Sequence, residues 1–259
     1  MRIILNADDF GMCDDTVRAT IECLENGSLT SATIMPTMPA TTAAIDYARS
    51  HPQFSFGVHL TYVCDTTEHP LSDPKDIAAL CDHTTGRFLP SQTVRMMAIR
   101  GKIPVEQIER ETAAQIGVLR DAGVRVSHVD SHGHLHKFAP FVAALRNVLP
   151  RFGITRVRSA QDTYLRKPLK SPTYWYGGVW RRRLMNHFMT TQHMFMPTSP
   201  TDARDMATRL LRKLRGHSIE VGVHPGYAEE FRIAERRGVT EFASAARAAG
   251  HSLITWDAL

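Results

Sequence analysis

The chain has 259 residues, of which 43% are hydrophobic and 22% are charged. These proportions are typical of a globular protein, and we expect one domain over residues 1–259 with a single large core. No apolar run approaches the roughly 20 residues that a membrane-spanning helix needs. The first ten residues, MRIILNADDF, break a short apolar run with two aspartates, which is unlike a secretory signal. Composition therefore argues against a membrane-spanning, a disulfide-stapled and a disordered protein.

The formal net charge is +5, and much of the basic excess lies between residues 151 and 215. Solvated helix faces explain this excess more simply than nucleic-acid binding, so no nucleic-acid partner is predicted. The four cysteines, Cys13, Cys23, Cys64 and Cys81, show no CxxC spacing. We therefore expect reduced thiols in a cytoplasmic protein.

In chain order, short apolar runs alternate with longer helical patterns. The apolar runs predict strands over residues 3–6, 31–35, 56–60, 124–129, 155–157, 219–223 and 252–256. Helices are predicted over residues 14–26, 39–49, 104–121, 140–148, 201–215, 229–236 and 241–249. Two stretches, 61–90 and 161–200, follow neither pattern clearly, and we expect them to form the walls of a binding site.

Repeated strand–helix units predict a parallel sheet with right-handed crossovers. About seven such units fit a closed or nearly closed (β/α) barrel of seven or eight strands, within the α/β class. An open doubly wound sheet is the alternative. That fold usually carries a glycine-rich phosphate loop after its first strand, where this chain has Asp8-Asp9-Phe10-Gly11. The barrel is therefore the preferred prediction.

Polar residues gather where the predicted strands end. Asp8 and Asp9 follow the first strand, and two adjacent carboxylates repel each other, so a cation or a buried proton is needed to stabilise them. We interpret this pair as functional. His59 lies at the end of the third strand, where a lone histidine is more often a satisfied core residue than a ligand.

The densest polar cluster is His128-Val129-Asp130-Ser131-His132-Gly133-His134-Leu135-His136. Side chains that can bind a metal occupy every even position, and a strand would place all of them on one face. Burying four imidazoles and a carboxylate is costly unless they bind an ion or transfer charge. The pattern therefore predicts a functional site in preference to a solvated histidine-rich edge.

A fourth segment places His224 after a late strand, immediately before a Pro-Gly turn. In a barrel, all four segments lie at the carboxyl ends of strands, the rim where barrel enzymes assemble their sites. Two imidazoles and one carboxylate with open positions for water form a hydrolytic metal site. A neighbouring aspartate can accept a proton from that water, and a histidine opposite can protonate the leaving group.

In these segments the sequence resembles the YdjC/ChbG-like carbohydrate deacetylases, through Asn-Ala-Asp-Asp-Phe-Gly, Gly-Val-His-Leu, His-Val-Asp-Ser-His-Gly-His-Leu-His and His-Pro-Gly-Tyr. The motifs occur in order over nearly the whole chain. The resemblance implies a distorted (β/α) barrel related to the NodB-type polysaccharide deacetylases. It also implies removal of an acetyl group from an N-acetylated amino sugar with a divalent metal, often magnesium.

By position, the resemblance implies that Asp9, His59 and His132 bind the metal. It implies Asp8 as the base that activates the metal-bound water and His224 as the proton donor to the departing amine. Adjacent carboxylates can exchange roles, so the assignment of Asp8 and Asp9 is the least fixed of these expectations.

The other polar members of the third cluster, His128, Asp130, His134 and His136, would then support the ligands or contact substrate. Asp130 is well placed to orient an imidazole. Arg158, at the end of the fifth predicted strand, is the candidate for contact with a sugar hydroxyl or the acetyl oxygen. Imidazole ligands favour Zn²⁺ and the family favours Mg²⁺, so one divalent ion of either kind is predicted.

Two other functions stay open at this level. One is a different metal-dependent amidase or a phosphoesterase on a similar barrel, although two-metal sites usually gather more carboxylates. The other is a non-catalytic metal- or sugar-binding protein, which would tolerate the loss of Asp8. The aromatic residues of 161–200 could stack on sugar rings. They could equally cover the side of the barrel or form a subunit interface, so homo-oligomerisation is open as well.

Overall fold

Seven strands form one parallel sheet in a computed structural model that describes residues 1–259, apart from the side chains at 172 and 173. The strands are β1 (Arg2–Phe10), β2 (Ser31–Ile34), β3 (Ser55–Leu60), β4 (Val126–Ser131), β5 (His193–Phe195), β6 (Ser218–Val223) and β7 (Ser252–Leu253). They are ordered β4-β3-β2-β1-β6-β5, and β7 pairs with the beginning of β1. The nearly uninterrupted burial of β1 is typical of a central parallel strand that is covered on both faces.

Isolated parallel bridges extend the sheet beyond its two outer strands. Val129 of β4 pairs with Val157, and Arg156 pairs with Met189. On the other side, β5 pairs with Thr163. The sheet therefore curls into a distorted, incompletely closed barrel, which confirms the predicted fold class. The strand predicted at 155–157 exists only as these bridges.

Nine α-helices surround the sheet in the described part of the chain. They are α1 (Asp14–Glu25), α2 (Thr41–Ser50), α3 (Ser91–Ile99), α4 (Val105–Asp121), α5 (Ala139–Val148), α6 (Pro172–Met185), α7 (Pro200–Arg204), α8 (Leu211–Lys213) and α9 (Glu230–Ala248). The helix predicted over 201–215 is divided, because a π-helical turn, Met206–Leu210, separates α7 from α8. The structure adds α3 and α6, which the sequence pattern did not predict.

The two helices predicted over 229–236 and 241–249 are one continuous helix, α9. Gly238 in its middle does not end the helix but permits close packing. A Cβ atom at this position would collide with the backbone carbonyl of Ala203 in α7. The glycine therefore reflects a close contact between two helices rather than a chain break.

The irregular stretch 61–90 is held by buried carboxylates. Oε2 of Glu68 accepts hydrogen bonds from the backbone amides of residues 65 and 66, and Glu111 of α4 accepts from those of residues 71 and 72. Such bonds satisfy backbone donors that have no strand or helix partner.

Within the described residues, no helix is both long and apolar enough to cross a membrane. All four cysteines are free thiols.

Candidate active site and metal centre

Asp8 and Asp9 lie at an irregularity near the carboxyl end of β1. The pairing register with β2 shifts between Ala7 and Phe10, and Asp9 has a φ of 58°. In a regular strand, two successive side chains would point to opposite faces. Here Asp8 Oδ2 lies 3.9 Å from Nε2 of His224, and Asp9 Oδ1 lies 3.4 Å from Nε2 of His59. The irregular backbone thus accompanies a site that uses both carboxylates, and strain of this kind costs about 1–3 kcal/mol.

The three residues expected to bind a metal lie together. One ligand atom each from Asp9, His59 and His132 falls within 4.8 Å of the others. Nδ1 of His132 is 3.3 Å from Asp9 Oδ1. Burial would raise the pKa of Asp9, but its bond to His132 and the nearby imidazoles hold that pKa well below its usual range.

A carboxylate behind His59 fixes the orientation of that imidazole. Nδ1 of His59 is 2.7 Å from Oδ1 of Asp130, and the hydroxyl of Thr33 donates to Oδ2 of Asp130 at 3.1 Å. The expected contact between Asp130 and an imidazole is therefore confirmed. With Nδ1 engaged, Nε2 faces Asp9, an arrangement found behind metal-binding histidines. Two imidazoles and a carboxylate, one imidazole being oriented in this way, are a donor set that fits a divalent metal ion.

Arg158 is the centre of a buried cluster of three carboxylates. Its guanidinium donates to both oxygens of Asp8, at 2.5 and 2.7 Å, and to Oε1 of Glu220, and it lies 2.7 Å from Oδ2 of Asp130. The side chain is fully buried. The contact between Arg158 and substrate stays a prediction. The contacts that the structure does show position Asp8 and Asp130.

The pKa values of Asp8 and His224 are shifted in opposite directions. Burial would raise the pKa of Asp8, but the paired Arg158 holds it well below its usual range. Burial would lower the pKa of His224, but Glu235, whose Oε2 lies 3.1 Å from Nδ1, raises it to about 9. At neutral pH, Asp8 is therefore ionised and His224 is protonated, as a proton acceptor and a proton donor would need to be.

The histidine-rich segment does not form one strand face as predicted. β4 ends at Ser131, and His132–Lys137 forms a 3-10 turn in which Gly133 and His134 have left-handed backbone angles. The turn separates His132, which faces Asp9, from His134 and His136, which line a cavity of about 280 Å³. Nδ1 of His136 bonds with the Ser131 hydroxyl, whereas its buried Nε2 has no partner among the described residues.

His128 is a fully buried residue of β4. Its ring stacks on Trp256 with a centroid distance of 4.6 Å, and Nδ1 is 2.8 Å from the Ser127 hydroxyl. Burial and the nearby Arg158 hold its pKa well below the usual value, so this imidazole is neutral. His128 is therefore a core residue in the middle of β4 that packs on Trp256, and the expectation that it supports a ligand or contacts substrate is wrong.

Four charged residues of the site were not predicted. Glu220 pairs with Arg158 and Glu235 with His224, while Arg232 donates to Oδ2 of Asp9 at 2.8 Å. Oε1 of the buried Glu68 lies 3.9 Å from Nε2 of His132. Glu220 interrupts the apolar strand β6. Arg232 and Glu235 lie on the buried face of helix α9. Charges among apolar residues were the available signal, since such side chains are rarely buried without a partner.

Known proteins share both sequence and fold with this chain. The YdjC-like protein family matches residues 2–253. Proteins named carbohydrate deacetylase are 29% identical in Brevibacillus brevis (89% of this chain, 83% of that protein) and 26% identical in Oceanobacillus iheyensis (89% and 87%). A crystal structure of a candidate cellobiose-phosphate cleavage protein from Enterococcus faecalis has a TM-score of 0.78 over 99% of this chain and 98% of its own, at 23% identity, and thus shares the fold. The chain belongs to the YdjC-like protein family.

Proposed function

We propose that this protein is a metal-dependent hydrolase that removes the acetyl group from an N-acetylated amino sugar. The observation that carries the proposal is the Asp9, His59 and His132 ligand set beside Asp8 and His224, whose pKa values are shifted apart. Relatives named carbohydrate deacetylase support the same reaction. A second metal-dependent activity, on another amide or on a phosphoester, is an outcome that the experiment below distinguishes.

Asp9, His59 and His132 would hold one divalent ion, Zn²⁺ or Mg²⁺. When bound, such an ion supplies a Lewis acid that polarises the acetyl carbonyl and acidifies a water molecule. Two imidazoles favour Zn²⁺, whereas a carboxylate is equally suited to Mg²⁺. Asp130 keeps Nε2 of His59 turned toward the site, and Arg232 holds the second oxygen of Asp9.

Asp8 and His224 would move the protons of the reaction. Asp8 is ionised at neutral pH and accepts a proton as water adds to the acetyl carbon. His224 is protonated and donates a proton to the nitrogen as the C–N bond breaks. The products are acetate and a free amine. Arg158 donates hydrogen bonds to both oxygens of Asp8 and so fixes the orientation of this carboxylate.

The cavity beside His132 supplies a place for the sugar. It is lined by His134, His136, Lys137 and Trp180, with further residues from α3 and the segment before α6. An indole can stack on the apolar face of a sugar ring, and imidazoles can bond with hydroxyls. We propose His134 and His136 as substrate-binding residues on this basis.

The test measures acetate released from a panel of N-acetylglucosamine compounds by the metal-loaded protein. Asp8→Asn keeps the shape of the side chain but removes the proton acceptor, and we expect kcat to fall about 10²–10⁴-fold. Asp14→Asn, an exposed aspartate on α1, is the matched control and should retain activity. Metal content, measured by mass spectrometry, should be equal in all three proteins.

Near-normal turnover by metal-loaded Asp8→Asn would refute the role of Asp8. Acetate from no compound, together with phosphate release from phosphoesters, would favour the phosphoesterase alternative. Binding of metal and sugar without any turnover, equal in wild type and Asp8→Asn, would indicate a binding protein.

A further inference from the structure

Large apolar side chains are exposed in and just before helix α6. Leu169, Trp175, Tyr176 and Val179 are 58%, 67%, 59% and 56% exposed, and we call these four residues the α6 face. The indole N–H of Trp175 donates to the carbonyl of Leu169, so the face is continuous. An exposed cluster of this kind marks an interaction surface more often than scattered apolar residues do.

The side of α6 that packs on the protein is also apolar. Trp180 and Leu184 are buried, and they anchor the helix to the protein. The core therefore covers one side of the helix. The α6 face adjoins that side where the rings of Tyr176 and Trp180 lie 6.0 Å apart, and its own side chains are more than half exposed. A helix with apolar residues on both sides is expected in a buried position, not on a surface.

The chain around this face is strongly basic. Residues 163–201 contain six lysines and arginines and no aspartate or glutamate. Arg166 and Arg181 form ion pairs with aspartates outside this stretch, whereas Lys167, Lys170 and Arg182 have exposed side chains. Lys167 also shares a surface cavity with Arg212, Lys213 and Arg215. The face is thus bordered by positive charge, which complements an anionic partner.

We propose that the α6 face docks on the surface of an anionic lipid bilayer. A helix that exposes Trp, Tyr and Val beside lysine and arginine matches the requirements of the bilayer interface, where aromatic rings lie at headgroup level and basic side chains contact anionic lipid. A second copy of this chain is a poorer occupant. Two-fold pairing would set the basic border of one copy against that of the other.

Docking in this position would bring the candidate substrate cavity to the membrane. Pro168, Ser171 and Trp180 line the cavity that also contains His134 and His136, and they belong to the same segment that carries the α6 face. This inference about substrate rests on the proposed function. The placement indicates an N-acetylated amino sugar that is attached to a lipid. The sugar would enter the cavity while the acyl or isoprenoid part of the substrate stays in the bilayer.

The test is sedimentation of the full-length protein with vesicles of phosphatidylcholine alone and of phosphatidylcholine with phosphatidylglycerol. We expect binding to the anionic vesicles, at least tenfold weaker binding to the neutral ones, and weakening as salt is raised from about 0.05 to 0.5 M. An apolar variant carries Trp175→Ser, Tyr176→Ser and Val179→Ser. A charge variant carries Lys167→Glu, Lys170→Glu and Arg182→Glu.

Each variant should lower the partition coefficient on anionic vesicles by about tenfold or more. The matched control carries Ile99→Ser, Arg100→Glu and Lys102→Glu, which change the same kinds of exposed residues at the end of α3. This control should bind within about twofold of wild type, apart from the small effect of net charge. Circular dichroism spectra and unfolding midpoints confirm that all three variants are folded.

Wild-type binding that is absent, or unaffected by the apolar and charge variants, would overturn the proposal. So would a dimer that the apolar variant dissociates, in a protein that does not sediment with vesicles. Acetate release, measured on the same proteins from a soluble N-acetylated sugar and from a lipid-linked N-acetylated sugar in the vesicles, keeps the two proposals distinct. Loss of vesicle binding with full acetate release from the soluble sugar concerns the docking surface alone. Vesicle binding without acetate release from either sugar refutes only the deacetylase proposal.

Discussion

Glu220 is a buried carboxylate whose replacement tests the charge balance of the site. It lies on β6, fully buried, and its Oε1 accepts two hydrogen bonds from Arg158. The Arg158 guanidinium also forms ion pairs with Asp8 and Asp130, so one positive charge faces three carboxylates. Burial raises the pKa of Glu220 to about 7, because Arg158 offsets only part of the cost of desolvation and the two aspartates add to it.

The magnitude follows from the difference between this pKa of about 7 and the ordinary value of 4.5. At about 1.4 kcal/mol for each tenfold step in proton affinity, ionised Glu220 costs about 3 kcal/mol of folding free energy. Since the folded protein holds its proton to a higher pH than the unfolded chain, this cost is absent below pH 4.5. It grows as the pH rises and is complete above pH 7. Glu220→Gln keeps the acceptor oxygen for Arg158 but removes the charge.

We therefore expect Glu220→Gln to match wild type at pH 4.5 and to exceed its free energy of unfolding by up to about 3 kcal/mol at pH 8. Urea denaturation between pH 4.5 and 8, in the presence of a chelator, measures this difference. Asp121→Asn, which removes an exposed partner of Arg120, is the control and should change stability by less than about 1 kcal/mol at every pH. A Glu220→Gln protein that is less stable than wild type at pH 8 would refute the reasoning.

Three further predictions concern other contacts. Asp130→Asn should lower metal affinity about 10–100-fold in a calorimetric titration, because the ligand imidazole loses its orienting carboxylate. Glu235→Gln should move the alkaline limb of kcat/KM for acetate release to lower pH by more than about one unit, since Glu235 raises the pKa of His224 to about 9; an unmoved limb would exclude His224 as the proton donor. Gly238→Ala should destabilise the protein by about 1–3 kcal/mol in urea, because α9 packs against α7 there, whereas Gly178→Ala, with open space around it, should be neutral or stabilising.

The sequence predicted the strands that carry the site, and it did so for a physical reason. Strands buried on both faces consist of continuous apolar runs, and those at 3–6, 31–35, 56–60 and 219–223 correspond to β1, β2, β3 and β6. β5 was missed because it has only three residues. Helix α6 was missed because it is apolar on opposite sides and so shows no single stripe.

The candidate site was predictable where its residues are adjacent in sequence and unpredictable where they are not. Asp8, Asp9 and His132 belong to compact motifs at the ends of strands. Arg232 and Glu235 come from a helix more than 200 residues after Asp9, and only folding shows that they pair with Asp9 and His224. Arg158 lay at the predicted rim, but its burial depends on three carboxylates from three different strands, which no local pattern reveals.

The even spacing of the histidines illustrates why a periodic pattern can identify a site and still give the wrong geometry. Period two places side chains on one face only while the backbone stays extended. After Ser131 the backbone turns, and Gly133 and His134 adopt φ values of 63° and 56°. A Cβ at 133 would lie 3.1 Å from side-chain atoms of Ser91 and Arg95, so a larger residue would require these side chains to shift as well as adopting a left-handed conformation. The turn lets one short segment supply His132 to the proposed metal site and His136 to the cavity, which a straight strand with the same residues would not do.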